Sequence, residues 1–195
     1  MNQTVIIPKP MTMEEYLAYD DGTHTRYELV NGELVEMPPE SQENCVLSSF
    51  LYAELLKHFP FYFIAHKDLE IEVTGRRAKC RLPDLVVHTE ESRAALLGSR
   101  RNTLTRDLPP PALVIEIVSP GSANRTRDYR HKRTEYAARE IAEYWIVDPE
   151  TRQITVCQWV EGQYEDAVLV GANQLRSPLI PAWELTIDQI FALQQ

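Results

Sequence analysis

Apolar residues recur along this chain with two periods, and the switches between them outline its elements. From Asn44 to about His58, residues Val46, Leu47, Phe50, Leu51 and Leu55 repeat at helical spacing and predict a helix with one apolar face. Thr12 to Tyr19 predicts a shorter helix, because Thr12 can cap it and Glu15 completes a capping-box pattern. "RYELV" and "ELVEM" flank Asn31-Gly32, a pair suited to a two-residue type I′ turn, and so predict a β-hairpin. "FYFIAHKDLEIEV" reads as one or two strands, "RLPDLVVH" as another, and Glu90 to Leu97 as a short helix. "RRNTLTRDLPPP" reads as a polar connection that ends in prolines.

Ala112 to Val118 is an apolar strand that ends at "SPGS". A helix follows with Thr126 as its cap and runs to about Arg139. "EYWIVD" is the next strand, and Asp148-Pro149 starts a turn. "QITVCQWV" and "QYEDAVLV" form a second hairpin around Glu161-Gly162, and the tail "IPAWELTIDQIFAL" ends in a short amphipathic helix. Helices and strands are interleaved and no repeat is visible, so the class is α/β, with mixed elements around one sheet.

Two carboxylates interrupt this pattern. Alternate residues of a strand share a face. Ala112, Val114, Glu116 and Val118 therefore point one way, and Leu113, Ile115 and Ile117 the other. Both faces are otherwise apolar, as in a central strand covered on both sides. A carboxylate there costs several kcal/mol unless it is paired, binds a metal or neutralises itself. Asp84 raises the same question at the start of the apolar run in "RLPDLVVH". On neighbouring strands, Asp84 and Glu116 could share one hard divalent cation, with water or phosphate completing its shell. The alternative is a buried ion pair with Arg or Lys. Asp128, Lys132 and Tyr136 form a stripe at i, i+4 and i+8, from which Lys132 could reach the end of the Glu116 strand. Its alternative is an ordinary surface pair with Asp128.

Charge changes the picture locally. The net charge is −9 over 195 residues, which argues against broad, non-specific nucleic-acid binding. Yet basic residues gather in "RRAKCR", "SRRNTLTR" and "RTRDYRHKR", while acid concentrates in "EEYLAYDD" and "ELVNGELVEMPPE". The surface is polarised, or these clusters are simply solvated faces. Of the third cluster, Arg125, Arg127, Arg130 and His131 are the candidate nucleic-acid contacts. Cys45, Cys80 and Cys157 fit neither a disulfide framework nor a Cys-x-x-Cys site, so a reducing cytoplasm is expected. No apolar run approaches a membrane span, and the start "MNQTVIIPKPM" carries no secretory pattern. Histidines lack zinc spacing, the seven glycines form no phosphate loop, Ser119 and Ser122 have no His nearby in sequence, and Cys45 and Cys80 read as core or incidental.

Pro83-Asp84, followed some thirty residues later by Glu116-Ile117-Val118, resembles the PD-(D/E)XK nuclease superfamily. "YELVNGELVEMPPES", "LPDLVVH", "LVIEIVSPGS", "DYRHKRTEY" and "EYWIVDP" are, in that order, similar to the Uma-type family of predicted restriction endonucleases, abundant in cyanobacteria and formerly a domain of unknown function. The similarity covers about Met11 to Leu193. It implies a restriction-endonuclease-like αβββαβ core flanked by helices, with extra hairpins. It implies a metal, Mg²⁺ or Mn²⁺, held by Asp84, Glu116 and the main-chain carbonyl of Ile117. It also flags Glu28 as a further acidic site residue, whose alternative is strand pairing within its own hairpin. The sequence departs from the superfamily motif at Val118, which stands where the catalytic lysine belongs. The family pattern moves that lysine to the next helix, here Lys132.

One domain is expected, with an N-terminal helix and hairpin over 11–39, a nuclease-like core over 44–148 and a C-terminal hairpin and helix over 149–195. The leading expectation is a metal-dependent DNA endonuclease with catalytic Asp84, Glu116, Lys132 and Glu28. It would be cytoplasmic, without a membrane partner, and homodimeric, since duplex cutting needs two sites. The alternatives are an inactive module of the same fold that binds nucleic acid or a protein, and a different Mg²⁺-dependent phosphoesterase.

Overall fold

The computed structural model describes residues 9–192. In chain order the first elements are α1 (Met13–Leu17), β1 (Tyr27–Val30), β2 (Glu33–Glu36), α2 (Gln42–Leu55), β3 (Ile64–His66), β4 (Glu70–Glu72), β5 (Cys80–Arg81), β6 (Leu85–Val87), α3 (Glu90–Ala95) and β7 (Thr103–Leu104). There follow β8 (Leu113–Ile117), α4 (Ser122–Thr126), a π-helical stretch Arg127–Lys132, α5 (Arg133–Ala137), β9 (Glu143–Asp148), β10 (Gln153–Val160), β11 (Gln163–Val170) and α6 (Ile187–Phe191). The predicted capping box forms at Thr12 and Glu15, and both hairpins form at Asn31-Gly32 and Glu161-Gly162.

The mixed α/β class holds, but the strands make two sheets rather than one. A six-stranded sheet runs β11-β10-β9-β8-β6-β3, and a five-stranded sheet runs β2-β1-β5-β4-β7. The division happens inside "FYFIAHKDLEIEV" and "RLPDLVVH". β3 pairs antiparallel with β6, and β4 with β5, so one long hairpin is folded across both sheets. Lys67 sits between β3 and β4 at φ 60°, a left-handed turn that redirects the chain, and its N–H donates to the Asp84 carbonyl at 3.0 Å. On the partner strand, Pro83 has no N–H to offer and interrupts the ladder at the same level. The bend therefore falls on Asp84.

β8 is central, antiparallel to β6 with Leu85 opposite Ile115 and parallel to β9 with Ile115 beside Trp145. All five of its residues are buried. Leu113, Ile115 and Ile117 pack with Leu47 and Leu51 of α2 and with Ile187 and Phe191 of α6. Val114 and Val118 pack on the opposite face with Tyr136 of α5 and Ile71 of β4. The outer face of the second sheet buries Leu29 and Cys80 under Tyr16 of α1.

Two further expectations need correction. The helix after β8 begins at Ser122, behind Gly121 at φ 105°, so Thr126 lies inside it and caps nothing. The polar connection contains a strand, β7, parallel to β4. Its two residues are too few to show a period. Arg101 and Thr103 anchor it by bonding to Glu70. Met1 to Pro8, where the missing secretory pattern was read, and Leu193, where the family similarity ends, lie outside the described residues. Among those described, no helix is long and apolar enough to cross a membrane.

The two hairpin glycines should differ in what they tolerate. Gly162 has φ +96° with nothing within 4 Å of an added Cβ, whereas at Gly32 (φ +84°) a Cβ would lie 2.6 Å from Pro10 Cβ and 3.0 Å from the Met11 carbonyl. Gly162→Ala should cost about 1–2 kcal/mol, the left-handed penalty alone. Gly32→Ala should cost clearly more, and urea unfolding of the two variants measures the difference.

Candidate active site

Asp84 and Glu116 meet at the end of the β6–β8 pair. The register that sets Leu85 opposite Ile115 puts Asp84, one residue earlier, beside Glu116. Opposed residues of an antiparallel pair share a face. The Asp84 carboxylate accepts the Ile117 N–H through Oδ2 at 2.7 Å, which ties it to the far end of β8. The helix after β8 folds back over this point. It brings the Lys132 ammonium to 2.8 Å from Glu116 Oε1, and the Tyr136 hydroxyl donates to the same oxygen at 2.7 Å. Asp128, the third residue of the stripe, lies 3.4 Å from Lys132. All three inward residues fall on one side of a stretch that contains the π-helical turn, a rare geometry found often at functional sites. Val118 stays in the apolar core.

Asp84, Glu116 and Lys132 line a cleft of about 340 Å³, together with Ile117, Ser119, Asn44 and Arg127. Asn44, buried near the start of α2, donates to the Val118 carbonyl at 3.5 Å. A neighbouring hollow of about 610 Å³ shares Asp84 and Glu40 with the cleft, but not Glu116, Arg127 or Lys132. Lys67 lines that hollow, pairing with Glu40 and standing 4.0 Å from Asp84 Oδ1.

Glu28 is buried but does not line the cleft. Arg81 Nη1 donates to its Oε2 at 2.8 Å, the Leu82 N–H donates to Oε1 at 3.3 Å, and Lys132 stands 3.8 Å away. Arg81 also grips Glu135, Nε to Oε2 at 2.8 Å, and Lys79 reaches Glu135 Oε1 at 2.8 Å. Arg81 and Glu135 belong to this network without any local pattern that marks them, since each pairs with residues far away along the chain. Glu28 pairs with Val35 across its own hairpin, as the alternative reading of it had, and its carboxylate also stands between Arg81 and Lys132.

The four candidate nucleic-acid contacts separate. Arg127 lines the cleft, with its Nε 3.3 Å from Asp128. Arg125 pairs with the fully buried Asp148 and lies over the Tyr129 ring, 4.8 Å from its centroid. Arg130 and His131 are exposed and pair with no carboxylate among the described residues.

Electrostatics divide the buried acids into two groups. Burial pushes the Asp84 carboxyl up to about 6, despite the Ile117 N–H and Lys132. Burial also raises Glu116; Lys132 opposes the rise, and Asp84 and Asp128 add to it. For Glu28 the burial penalty is outweighed by Lys132 and Arg81, which hold it below the usual carboxylate range. Burial pulls the Lys132 ammonium down, but Glu116, Glu28 and Asp128 together more than offset it and hold it above the ordinary lysine value.

The donor set fits a hard cation. Among the described residues, Asp84 Oδ1 and Glu116 Oε2 accept no hydrogen bond, and both side chains line the cleft. No group of three or more His, Cys, Asp or Glu side chains there could hold a metal. Two carboxylates, with the Ile117 carbonyl, water and phosphate as remaining ligands, match the sparse protein contribution usual for Mg²⁺.

The family model described as "Uma2: Putative restriction endonuclease" matches residues 13–188. The chain belongs to that family. Its structure is also similar to a crystal structure from Anabaena variabilis ATCC 29413, described as a "putative nuclease belonging to DUF820". The TM-score is 0.70 at 17% identity, covering 95% of this chain and 100% of the other. No curated protein matches. The Uma2 chain thus shares its fold with a protein described as a nuclease, as the αβββαβ expectation required.

The raised Asp84 carboxyl has a measurable sign. With a folded value near 6 against an ordinary value near 4, the folded state binds the extra proton between those pH values. The contribution of Asp84 to the stability of the metal-free protein therefore falls as pH rises from about 4 to 6. Asp84→Asn should melt a few degrees above wild type over pH 7–8 in chelator, and the gap should close below about pH 4. Scanning fluorimetry across pH checks this.

Proposed function

We propose that this Uma2 protein is a divalent-cation-dependent endonuclease that hydrolyses phosphodiester bonds in DNA. The supporting observation is the convergence of Asp84, Glu116 and Lys132 on one cleft, with an oxygen of each carboxylate free of hydrogen bonds. Asp84, Glu116 and the Ile117 carbonyl would hold Mg²⁺ or Mn²⁺. When bound, that ion would acidify a water and polarise a phosphate oxygen. The Asp84 bond to the Ile117 N–H fixes the first carboxylate and turns the end of β8 toward it. Tyr136 and Lys132 both grip Glu116 Oε1, so the carboxylate keeps one orientation with Oε2 spare. Lys132 and Arg127 bring positive charge to the wall where a phosphate gathers negative charge. Glu28 and Arg81 act behind them as positioning residues.

The proposal includes a single domain, a cytoplasmic setting and a homodimer that would bring two clefts to the two strands of a duplex. One observation favours an inactive nucleic-acid-binding module instead. Lys132 already faces three carboxylates, Glu116, Asp128 and Glu28. In that reading its charge serves only to hold the fold.

Nicking of supercoiled plasmid separates the readings. Wild type should nick with Mg²⁺ or Mn²⁺ and stop on chelation. Asp84→Asn and Glu116→Gln should lose at least about 100-fold while remaining folded, as expected for loss of charge stabilisation at the reacting phosphate. Absence of nicking on supercoiled, linear and single-stranded DNA would defeat the endonuclease reading. Hydrolysis of small phosphodiesters alone would point to another phosphoesterase.

A second prediction tests the positioning role. Glu28→Gln leaves Arg81 and Lys132 short of a buried anion and should destabilise the protein by about 3–5 kcal/mol, measured by urea unfolding at pH 7.

A further inference from the structure

Away from the cleft, one buried cation has no anion to meet. Among the described residues the buried lysine and arginine side chains are Arg81, Lys132 and Arg139. Arg81 faces Glu28 and Glu135, and Lys132 faces Glu116, Asp128 and Glu28. Arg139, 8% exposed, pairs with no carboxylate among the described residues. It follows α5, and its guanidinium donates to three main-chain carbonyls of the 105–108 turn. Nη1 reaches Arg106 at 2.9 Å, and Nη2 reaches Thr105 at 3.1 Å and Leu108 at 3.2 Å. Among the described residues its Nε has no partner. Carbonyls satisfy N–H groups but carry no net charge, so a whole positive charge is left uncompensated and largely out of water. That arrangement is expensive. Burial pulls Arg139 below the ordinary arginine value; Glu72 opposes the fall, Arg106 adds to it and Asp107 opposes it. Glu72 is itself engaged by the Arg106 N–H at 2.9 Å.

Arg139 lines an open cavity of about 290 Å³. Arg106 lines it too, exposed and paired with no carboxylate among the described residues. Two guanidiniums on one cavity repel each other unless an anion joins them. Leu108 and Pro110 give the cavity an apolar wall, which strengthens any charge interaction inside, and Thr74 adds a hydroxyl. Glu140 is the acidic lining residue, exposed and paired with neither arginine. The volume lies near the lower end of small-ligand sites, so it suits a small anion rather than a polymer. Guanidinium forks match the oxygens of phosphate. The cavity shares no lining residue with the cleft. Pro110 precedes β8 and Arg139 follows α5, whereas Ile117 and Lys132 mark the cleft at the opposite ends of those elements.

We propose that this cavity is a phosphate-binding site separate from the cleft, in which Arg106 and Arg139 hold one oxyanion, as inorganic phosphate or as the phosphoryl end of a small phosphomonoester. The anion supplies the counter-charge that Arg139 lacks and links the 105–108 turn to the end of α5. The site does not depend on the nuclease reading.

The test is titration calorimetry with inorganic phosphate at pH 7, in chelator, with ionic strength held constant by chloride. Wild type should bind one phosphate per chain. Arg139 anchors the 105–108 turn, so the exposed Arg106 carries the test. Arg106→Ala should bind at least about 10-fold more weakly, the loss of one charge-assisted hydrogen bond, and its melting temperature without phosphate should match wild type. Glu140→Gln removes a like charge and should bind about 2- to 5-fold more tightly. Arg127→Ala removes the arginine of the cleft and should leave phosphate affinity unchanged. Adenosine 5′-monophosphate in place of phosphate separates the sources. Tighter binding than phosphate assigns the site to a phosphomonoester, and weaker binding to the free ion. No saturable binding of either probe overturns the proposal. So does binding that survives Arg106→Ala and is lost in Arg127→Ala, which would put the phosphate in the cleft.

Discussion

The buried pair between Lys132 and Glu116 organises much of what surrounds it. At 2.8 Å, with both side chains almost wholly out of water, neither charge could stand alone. Glu116 lies on the central strand because β8 is covered on both faces, and Lys132 must come from the helix that closes one of them. Further anions are then needed, because one ammonium in an apolar interior is itself expensive. Asp128 and Glu28 supply them at 3.4 and 3.8 Å. Glu28 in turn requires Arg81, and Arg81 requires Glu135. A single catalytic-looking pair thus commits residues on β1, β5, β8 and α5.

That chain of pairs also explains how two sheets stay in register with one helix. The six-stranded sheet supplies Glu116 and Asp84, and the five-stranded sheet supplies Glu28 and Arg81. Their apolar contact, Val114 and Val118 against Ile71 and Leu104, is non-directional and would tolerate sliding. The ion pairs are directional, and the bent hairpin with its corner at Lys67 and Asp84 is covalent. Together they fix the position of the cleft, which opens at that corner.

Much of this was legible from residue pattern, and what was not has definite physical causes. Glu116 stood out because a strand's alternation leaves a carboxylate nowhere neutral to go, and the Lys132 stripe because helical spacing is regular. Val118 could be recognised as a departure from the motif, and the structure shows it as plain core. The second sheet was hidden because its cause is Lys67 at positive φ, a conformation that a lysine does not announce. The early start of the helix was hidden for a related reason: Gly121 takes the place of a side-chain cap, while Thr126 looked like one. Arg81 and Glu135 were invisible because ion pairs across the fold leave no local spacing to read. β7 was lost because two residues cannot display a period.

The buried acids show why carboxylate type alone does not mark a site. Glu28 and Glu116 are the same residue, equally buried, on strands of the same protein. Glu28 has a guanidinium and an ammonium that together outweigh its burial, so its charge is already balanced and it has little to offer a ligand. Glu116 shares its ammonium with two other acids and has Asp84 beside it, so its carboxyl is driven upward. Asp84 has a main-chain N–H and a distant lysine, and is driven upward too. A fold without use for these two groups would do better with apolar residues in their place, since buried ion pairs are commonly replaceable without loss. The deficit of positive charge between Asp84 and Glu116 is the condition that the proposed divalent cation would relieve. The same deficit sets the cleft apart from the rest of the buried network, in which Glu28 and Glu135 each have a guanidinium partner.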